Sequence, residues 1–104
     1  CVLHYIENNK TLNNGDLLLI DAGCEVEGYA SDITRTFPVN GTFSEAQRQI
    51  YQIVLDAQLA AIESIKPGVM VVKPHQIATH VIQQGLVDLG ILQAGDDLSQ
   101  FYMH

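Results

Sequence analysis

Two aspartates, Asp21 and Asp32, lie in a segment whose pattern predicts two strands joined by a tight turn. If the chain reverses around Val26 and Glu27, Asp21 falls directly opposite Asp32, with the two Cβ atoms about 4.5–5.5 Å apart on one face. Carboxylates this close repel each other unless one is protonated or a cation lies between them. Their oxygens suit magnesium, calcium, manganese and zinc, and a pair can bridge two metals about 3.5–4 Å apart. The spacing therefore indicates a divalent-metal site.

The residues around the pair favour a buried site. Asp21 directly follows Leu17-Leu18-Leu19-Ile20, a run that predicts a strand buried on both faces, so a charge there needs a partner or a metal. Gly23 lets a backbone or a ligand come close. Thr34, two residues beyond Asp32, shares its face on a strand and is a candidate hydrogen-bond donor to a ligand carboxylate.

Two simpler interpretations of the aspartates stay open on the residues alone. Asp21 precedes Ala-Gly and could begin a turn, which is a common position for aspartate. Asp32 could pair with Arg35 or cap a backbone group. Neither interpretation requires a metal.

Three segments have the apolar and β-branched residues typical of strands: 2–7, 16–23 and 29–39. A polar stretch with a glycine, residues 24–28, predicts a tight reversal between the second and the third. Pro38 ends the third strand, because proline cannot donate a hydrogen bond to a neighbouring strand.

Two helices follow the strands. The first has Ser44 as N-cap with Gln47 three residues on, carries one broad apolar face, and ends at Lys66-Pro67-Gly68. The second has Pro74 in its first turn, and Gly85 and Gly90 weaken its end. Strands followed by helices predict an α+β domain with the helices packed on one face of an antiparallel sheet.

Composition narrows the classes of function. The chain has 104 residues, twelve acidic and five basic, with a formal charge of −7. We expect neither nucleic acid nor a membrane as partner, because an anionic partner needs a basic surface and no apolar run is long enough to span a bilayer. Two cysteines favour a reduced intracellular protein. Both ends have the sequence of structured segments, so we expect an internal piece of a longer protein.

The remaining reactive side chains give weaker signals. A lone strand histidine such as His4 is more often packed and hydrogen-bonded than catalytic. His75 and His80 are five residues apart, which puts them on different faces of a helix, and we predict no function for either. Cys24 has no histidine nearby in sequence to activate it, and we predict that it is structural.

Residues 18–41, with the run Leu-Ile-Asp-Ala-Gly-Cys-Glu-Val-Glu-Gly-Tyr-Ala-Ser-Asp-Ile-Thr-Arg-Thr-Phe-Pro at their centre, closely resemble the Xaa-Pro aminopeptidases, or aminopeptidase P. These enzymes are metallopeptidases of the pita-bread fold. The resemblance extends to residues 3–5, 43–51, 90–92 and 101–104. It implies a partial pita-bread fold, with residues 1–104 forming the N-terminal half of a catalytic domain truncated at both ends.

The resemblance also implies a site with two metals, usually manganese, held by two Asp, one His and two Glu. Asp21 matches the aspartate that binds one metal, and Asp32 matches the aspartate that bridges both. His4 and His104 match histidines that line the substrate pocket and assist catalysis, and neither is a metal ligand. The histidine ligand and the two glutamate ligands of the family have no counterpart in these 104 residues. We therefore expect the chain alone to bind metal weakly and to be inactive.

The activity implied for the parent protein is removal of the N-terminal residue from peptides with proline in second position. The resemblance further implies an enzyme that often forms homo-oligomers, and the low number of cysteines leads us to expect a cytoplasmic protein. Two alternatives remain: a prolidase, which cleaves Xaa-Pro dipeptides, and a non-catalytic pita-bread domain that serves in binding. Retention of both aspartates together with Thr-Arg-Thr-Phe-Pro favours an enzyme.

Overall fold

The computed structural model describes residues 5–98 and 102, and divides the chain into two compact units, Cys1–Ser44 and Glu45–His104. The elements are β1 (Leu17–Ala22), β2 (Glu25–Val26), β3 (Tyr29–Ala30), β4 (Ile33–Pro38), α1 (Glu45–Glu63) and α2 (Val72–Asp88). The predicted α+β class is confirmed.

The first predicted strand, residues 2–7, is not formed over its described part. Residues 5–7 are irregular, and 2–4 lie outside the described residues. Hydrogen bonds at residues 5–9 are local: the Tyr5 hydroxyl donates to Asn9 Oδ1 at 2.8 Å, and the Asn9 amide donates to the Tyr5 hydroxyl at 3.3 Å. A strand needs a partner to satisfy its backbone groups, and no described residue pairs with this segment.

The first unit contains one long hairpin. β1 pairs antiparallel with β4, with Leu17 opposite Pro38 and Ala22 opposite Ile33. β2 pairs antiparallel with β3, with Val26 opposite Tyr29. The two pairings share a single register, so they are continuous across an interruption at residues 23–24 and 31–32, where the ladder is broken.

The turn of this hairpin lies one position later than predicted, at Glu27-Gly28. Both residues have positive φ, 51° and 86°, as a two-residue type I′ turn requires. Glycine adopts this conformation without steric cost, whereas a reversal at Val26-Glu27 would force a β-branched residue to positive φ. The shift moves the register by two residues. Asp21 therefore lies opposite Thr34, and the predicted direct opposition of Asp21 and Asp32 is wrong.

The apolar strand β1 is not buried in this unit. Leu17, Leu19 and Ile20 are 44%, 50% and 44% exposed, and only Leu18 is half-buried. The prediction of a strand buried on both faces is therefore wrong for the described residues, because a two-stranded hairpin covers neither of its own faces. The composition of β1 remains that of a strand from a larger, covered sheet.

Helix α1 begins at Glu45, directly after the predicted N-cap Ser44. Glu45 Oε1 lies 2.9 Å from Arg48 Nη2, one turn along the helix. The hydrogen bond from Arg48, reinforced by its charge, lowers the pKa of Glu45 and raises the pKa of Arg48. Both groups are exposed, so this ion pair contributes little to stability.

Helix α2 begins two residues before Pro74 and ends in a Schellman motif. Gly90, with φ 71°, donates its amide hydrogen to the Val87 carbonyl at 2.9 Å, and Ile91 donates to the Leu86 carbonyl at 2.9 Å. Gly90 thus ends the helix as predicted. Neither α1 nor α2, the helices of the described chain, is long and apolar enough to cross a bilayer.

Gly85 lies inside α2 where that helix meets α1. A Cβ added at Gly85 would lie 2.7 Å from Ile53 Cγ1 and 2.8 Å from both Cδ1 and Cγ2. Three atoms of one branched side chain cannot all turn away, so the glycine permits the close contact of the helices. Beside it, Leu86, Leu92 and Leu98 form a small buried cluster against which Tyr102 packs.

We expect Gly85→Ala to destabilise the second unit by up to about 2 kcal/mol, because overpacking costs about 1–3 kcal/mol and the better helix propensity of alanine returns only about 1 kcal/mol of that. Thermal unfolding of the full-length protein should show a lower Tm for this variant. Ile53→Ala removes the three clashing atoms, so the loss in the double variant should be smaller than the sum of the losses in the two single variants. Additive effects of the two substitutions would contradict the packing explanation.

Candidate metal site

The hairpin places the two aspartates on one face, diagonally rather than directly opposite. Asp21 is the fifth residue of β1 and pairs with Thr34, while Asp32 immediately precedes β4. Because side chains alternate along a strand, Asp32 shares the face of Thr34 and hence of Asp21. Diagonal neighbours on antiparallel strands lie about 7–8 Å apart. At that separation, the two carboxylates are better placed to bind ions than to contact each other directly.

Gly23 lies opposite Asp32, and the backbones of the two strands are in close contact at this point. A Cβ built on Gly23 would lie 1.9 Å from the Ser31 carbonyl oxygen, 2.9 Å from its carbon and 3.6 Å from the Asp32 nitrogen. The predicted close approach at Gly23 is confirmed. The group that approaches Gly23 is the peptide unit that joins Ser31 to Asp32.

Ser31 forms an altered hydrogen-bonded pair with Cys24. The Ser31 amide donates to the Cys24 carbonyl at 2.8 Å. The Cys24 amide donates to the Ser31 hydroxyl at 3.1 Å, where a regular pair of this kind would use the Ser31 carbonyl. Sequence reasoning missed Ser31, because its position in the ladder is visible only when the register is known.

Neither aspartate has a competing partner among the described residues. Both are exposed, and neither forms a hydrogen bond or ion pair within residues 5–98 and 102. Asp21 lies within β1 and does not begin a turn. Arg35, opposite Ile20 on the other face, donates to the Thr34 carbonyl at 2.8 Å instead of pairing with Asp32. The expectation of a buried site is wrong here, but free carboxylates on one face fit a divalent cation.

The described residues hold only part of a metal site. Within them, no three side chains from His, Cys, Asp and Glu gather closely enough to bind an ion. His4 and His104, the predicted catalytic histidines, lie outside the described residues. Any complete site therefore needs ligands in addition to Asp21 and Asp32.

An open groove of about 320 Å³ between α1 and α2 is a weaker candidate. Asp56, His80 and Asp88 are among the residues that line it. Both carboxylates already accept amide hydrogen bonds at 2.8 Å, Asp56 from Gln52 and Asp88 from Gln84. The groove therefore offers no set of free ligands, and His80 keeps its prediction of no function.

Comparison with known proteins identifies the family. The model of metallopeptidase family M24 matches residues 1–104. The chain belongs to metallopeptidase family M24. Carboxylates are among the ligands that divalent metals use in proteins, and two free carboxylates on one face fit a metallopeptidase family.

Two relatives show the extent of the match. The Xaa-Pro aminopeptidase of Haemophilus influenzae is 54% identical over 111 residues, covering 100% of this chain and 26% of the relative. The structure of Pseudomonas aeruginosa aminopeptidase PepP is similar with a TM-score of 0.92 and 51% identity, covering 100% of this chain and 25% of that one. The expected partial pita-bread fold is confirmed by this likeness. The M24 chain spans about a quarter of the length of these relatives.

Structures of Escherichia coli aminopeptidase P bear on the metal and on the residues. A zinc-substituted form in complex with product is 48% identical with a TM-score of 0.83, covering 96% of this chain and 22% of that one. It supports a divalent metal for this M24 chain. Alanine variants of two histidines and two aspartates of that enzyme have also been solved. One of these histidines precedes the first aspartate by seventeen positions and the aspartates are eleven apart, which is the spacing of His4, Asp21 and Asp32.

Proposed function

We propose that this chain is part of a metal-dependent aminopeptidase that removes the N-terminal residue from peptides with proline in second position. The observation that carries the proposal is the pair of free carboxylates, Asp21 and Asp32, on one face of the hairpin of an M24 chain. The names of the relatives support the reaction and the preference for proline. The exposed apolar strand β1 supports a longer protein whose further elements cover the hairpin.

The aspartates hold the metal in this proposal. Asp21 would bind one ion and Asp32 would bind both of two ions, which we propose to be Mn²⁺. Such a centre would activate a water and polarise the scissile carbonyl. The diagonal placement of Asp21 and Asp32 suits these different roles, because the two carboxylates do not occupy the same position. Parts of the protein beyond this chain contribute a histidine and two glutamates as the remaining ligands.

The histidines act on the substrate. We assign to His4 and His104 hydrogen bonds to the oxygen that becomes negative as the carbonyl is attacked, or to the bound peptide. The spacing of His4 from Asp21, which matches a histidine studied in the Escherichia coli enzyme, supports the first assignment. Both histidines serve as hydrogen-bond donors and leave the metal to carboxylates and to a third histidine.

The proposal also covers the cellular compartment, the partners and the assembly of the enzyme. Few cysteines and an acidic surface support a reduced, cytoplasmic compartment and a peptide partner rather than nucleic acid or membrane. A homo-oligomer of the full-length protein is the proposed assembly, which the mass of the purified protein in solution tests.

Metal dependence tests the proposal directly. We expect the full-length protein to release the first residue from an Xaa-Pro-Xaa tripeptide, to lose nearly all activity on chelation, and to regain it with Mn²⁺. The 104-residue chain assayed beside it should give no turnover, since it holds two of the five proposed ligand residues. Amino-acid release measured by chromatography distinguishes these results.

Two substrates separate the alternatives. An Xaa-Pro dipeptide cleaved in strong preference to the tripeptide would identify a prolidase. A tripeptide with alanine in second position serves as control and should be a poor substrate. Activity indifferent to chelator would exclude the metal mechanism. Absence of cleavage in the metal-loaded protein would favour a non-catalytic binding domain.

A further inference from the structure

The break in the hairpin begins two residues after Asp21 and includes Asp32, and Ser31 holds it in place. The ladder is regular from Leu17 to Ala22 and resumes at Glu25. In between, the Ser31 carbonyl is directed toward Gly23, where a Cβ would lie only 1.9 Å from it. That carbonyl is therefore displaced from the position of an acceptor for the Cys24 amide.

The Ser31 side chain replaces its own carbonyl as that acceptor. The hydroxyl receives the Cys24 N–H at 3.1 Å, while the Ser31 N–H keeps its regular bond to the Cys24 carbonyl at 2.8 Å. Without the hydroxyl, the Cys24 N–H would have no acceptor on the opposite strand unless the Ser31 carbonyl turned back toward it. The hydroxyl thus permits the turned carbonyl.

The orientation of this carbonyl matters because it belongs to the peptide unit of Asp32. The six atoms of that unit are planar, so turning the Ser31 carbonyl also turns the Asp32 N–H and changes φ at Asp32. The direction of the Asp32 side chain follows from that angle. A shift of this peptide would redirect the carboxylate without changing any residue that contacts a metal.

We infer that Ser31 is a positioning residue for Asp32: its hydroxyl, bonded to the Cys24 amide, holds the Ser31–Asp32 peptide so that the carboxylate is aimed at the metal centre. The inference rests on the proposed function, since it needs Asp32 to be a ligand. It adds a residue that acts through Asp32, by its hydrogen bond to the Cys24 amide.

The test uses the full-length protein with three substitutions. Ser31→Ala removes the acceptor and Ser31→Thr keeps a hydroxyl. Cys24→Ala removes the thiol, which lies 3.6 Å from the hydroxyl, and keeps the backbone amide that donates to it. The dissociation constant for Mn²⁺ is measured from the electron paramagnetic resonance of free Mn²⁺. The visible spectrum of the Co²⁺-loaded protein reports ligand geometry independently of activity.

We expect Ser31→Ala to weaken Mn²⁺ binding about tenfold, the lower end of the range for residues that orient metal ligands, and to alter the Co²⁺ spectrum. Ser31→Thr and Cys24→Ala should bind Mn²⁺ as the unaltered protein does, within about threefold on that same scale. At saturating metal, Ser31→Ala should lower kcat for the tripeptide and leave KM unchanged, since in this inference Ser31 acts only through Asp32.

Unchanged Mn²⁺ affinity and Co²⁺ spectrum in Ser31→Ala would overturn the inference. So would an equal loss in Cys24→Ala, because the thiol, 3.6 Å from the hydroxyl, would then be the group that matters. Asp32→Asn, measured in parallel, distinguishes a failure of this inference from a failure of the proposed function. If it loses metal while Ser31→Ala does not, only the inference fails. If Asp32→Asn keeps full metal affinity, the proposed function fails.

Discussion

Asp32→Asn should reduce kcat/KM of the full-length protein for an Xaa-Pro-Xaa tripeptide by a factor on the order of 10³, comparable to the loss of a strong electrostatic contact in other active sites. Asparagine keeps the shape of the side chain but replaces one oxygen by an amide nitrogen, which cannot accept. In the proposed site, Asp32 would then offer one ligand oxygen instead of two. Asp21→Asn should cost less, about 10²-fold, because Asp21 contacts a single ion in the proposed site.

Metal content distinguishes this explanation from a general fault of folding. The dialysed Asp32→Asn protein should hold less metal than the unaltered one, while its Tm without metal should be unchanged, because Asp32 is exposed and forms no bond with a described residue. Glu27→Gln is the matched control. It also removes one exposed carboxylate of the hairpin, at the turn, and should leave activity and metal content intact. Equal losses in both variants would point to net charge rather than ligation.

Gly23→Ala should damage both stability and metal binding. The new methyl group would lie 1.9 Å from the Ser31 carbonyl oxygen, so the two strands must separate beside Asp32. We expect a loss of about 3 kcal/mol, at the upper end for overpacking, because backbone atoms cannot change rotamer. Mn²⁺ affinity should fall about tenfold or more, since the strand that carries Asp32 is displaced.

Gly41→Ala is a suitable control for this substitution. Gly41 has φ 77° and nothing within 4 Å of an added Cβ, so alanine there costs about 1 kcal/mol of backbone strain and causes no collision. Its Mn²⁺ affinity should be that of the unaltered protein. Thermal unfolding and Mn²⁺ titration of both variants give the comparison. A Gly23→Ala protein with normal Tm and metal affinity would show that the hairpin accommodates the methyl group.

Local signals in the sequence predicted the elements well. Ser44 precedes α1, Pro74 lies in the first turn of α2, and Gly90 ends α2. These features depend on a few neighbouring residues, whose backbone preferences are strong and act without the rest of the protein. The strands β1 and β4 were predicted for the same reason, from runs of suitable residues.

Burial was predicted poorly, because it depends on what covers an element. The run Leu17-Leu18-Leu19-Ile20 has the composition of a covered strand, yet three of its four residues are exposed in this chain. Composition reflects the whole protein in which a strand evolved, whereas exposure reflects the elements at hand. For a chain that spans about a quarter of its relatives, the two differ.

The sequence by itself determined that Asp21 and Asp32 belong to one hairpin of a chain from a metallopeptidase family. Only the tertiary structure decided how they face each other. One position in the turn shifts the register by two residues, and the turn is set by which residue tolerates positive φ. The same register brings Gly23 against the Ser31–Asp32 peptide and makes the Ser31 hydroxyl an acceptor. Residue types could suggest a metal site, but its geometry depends on pairing between strands, which acts across the hairpin and not along the chain.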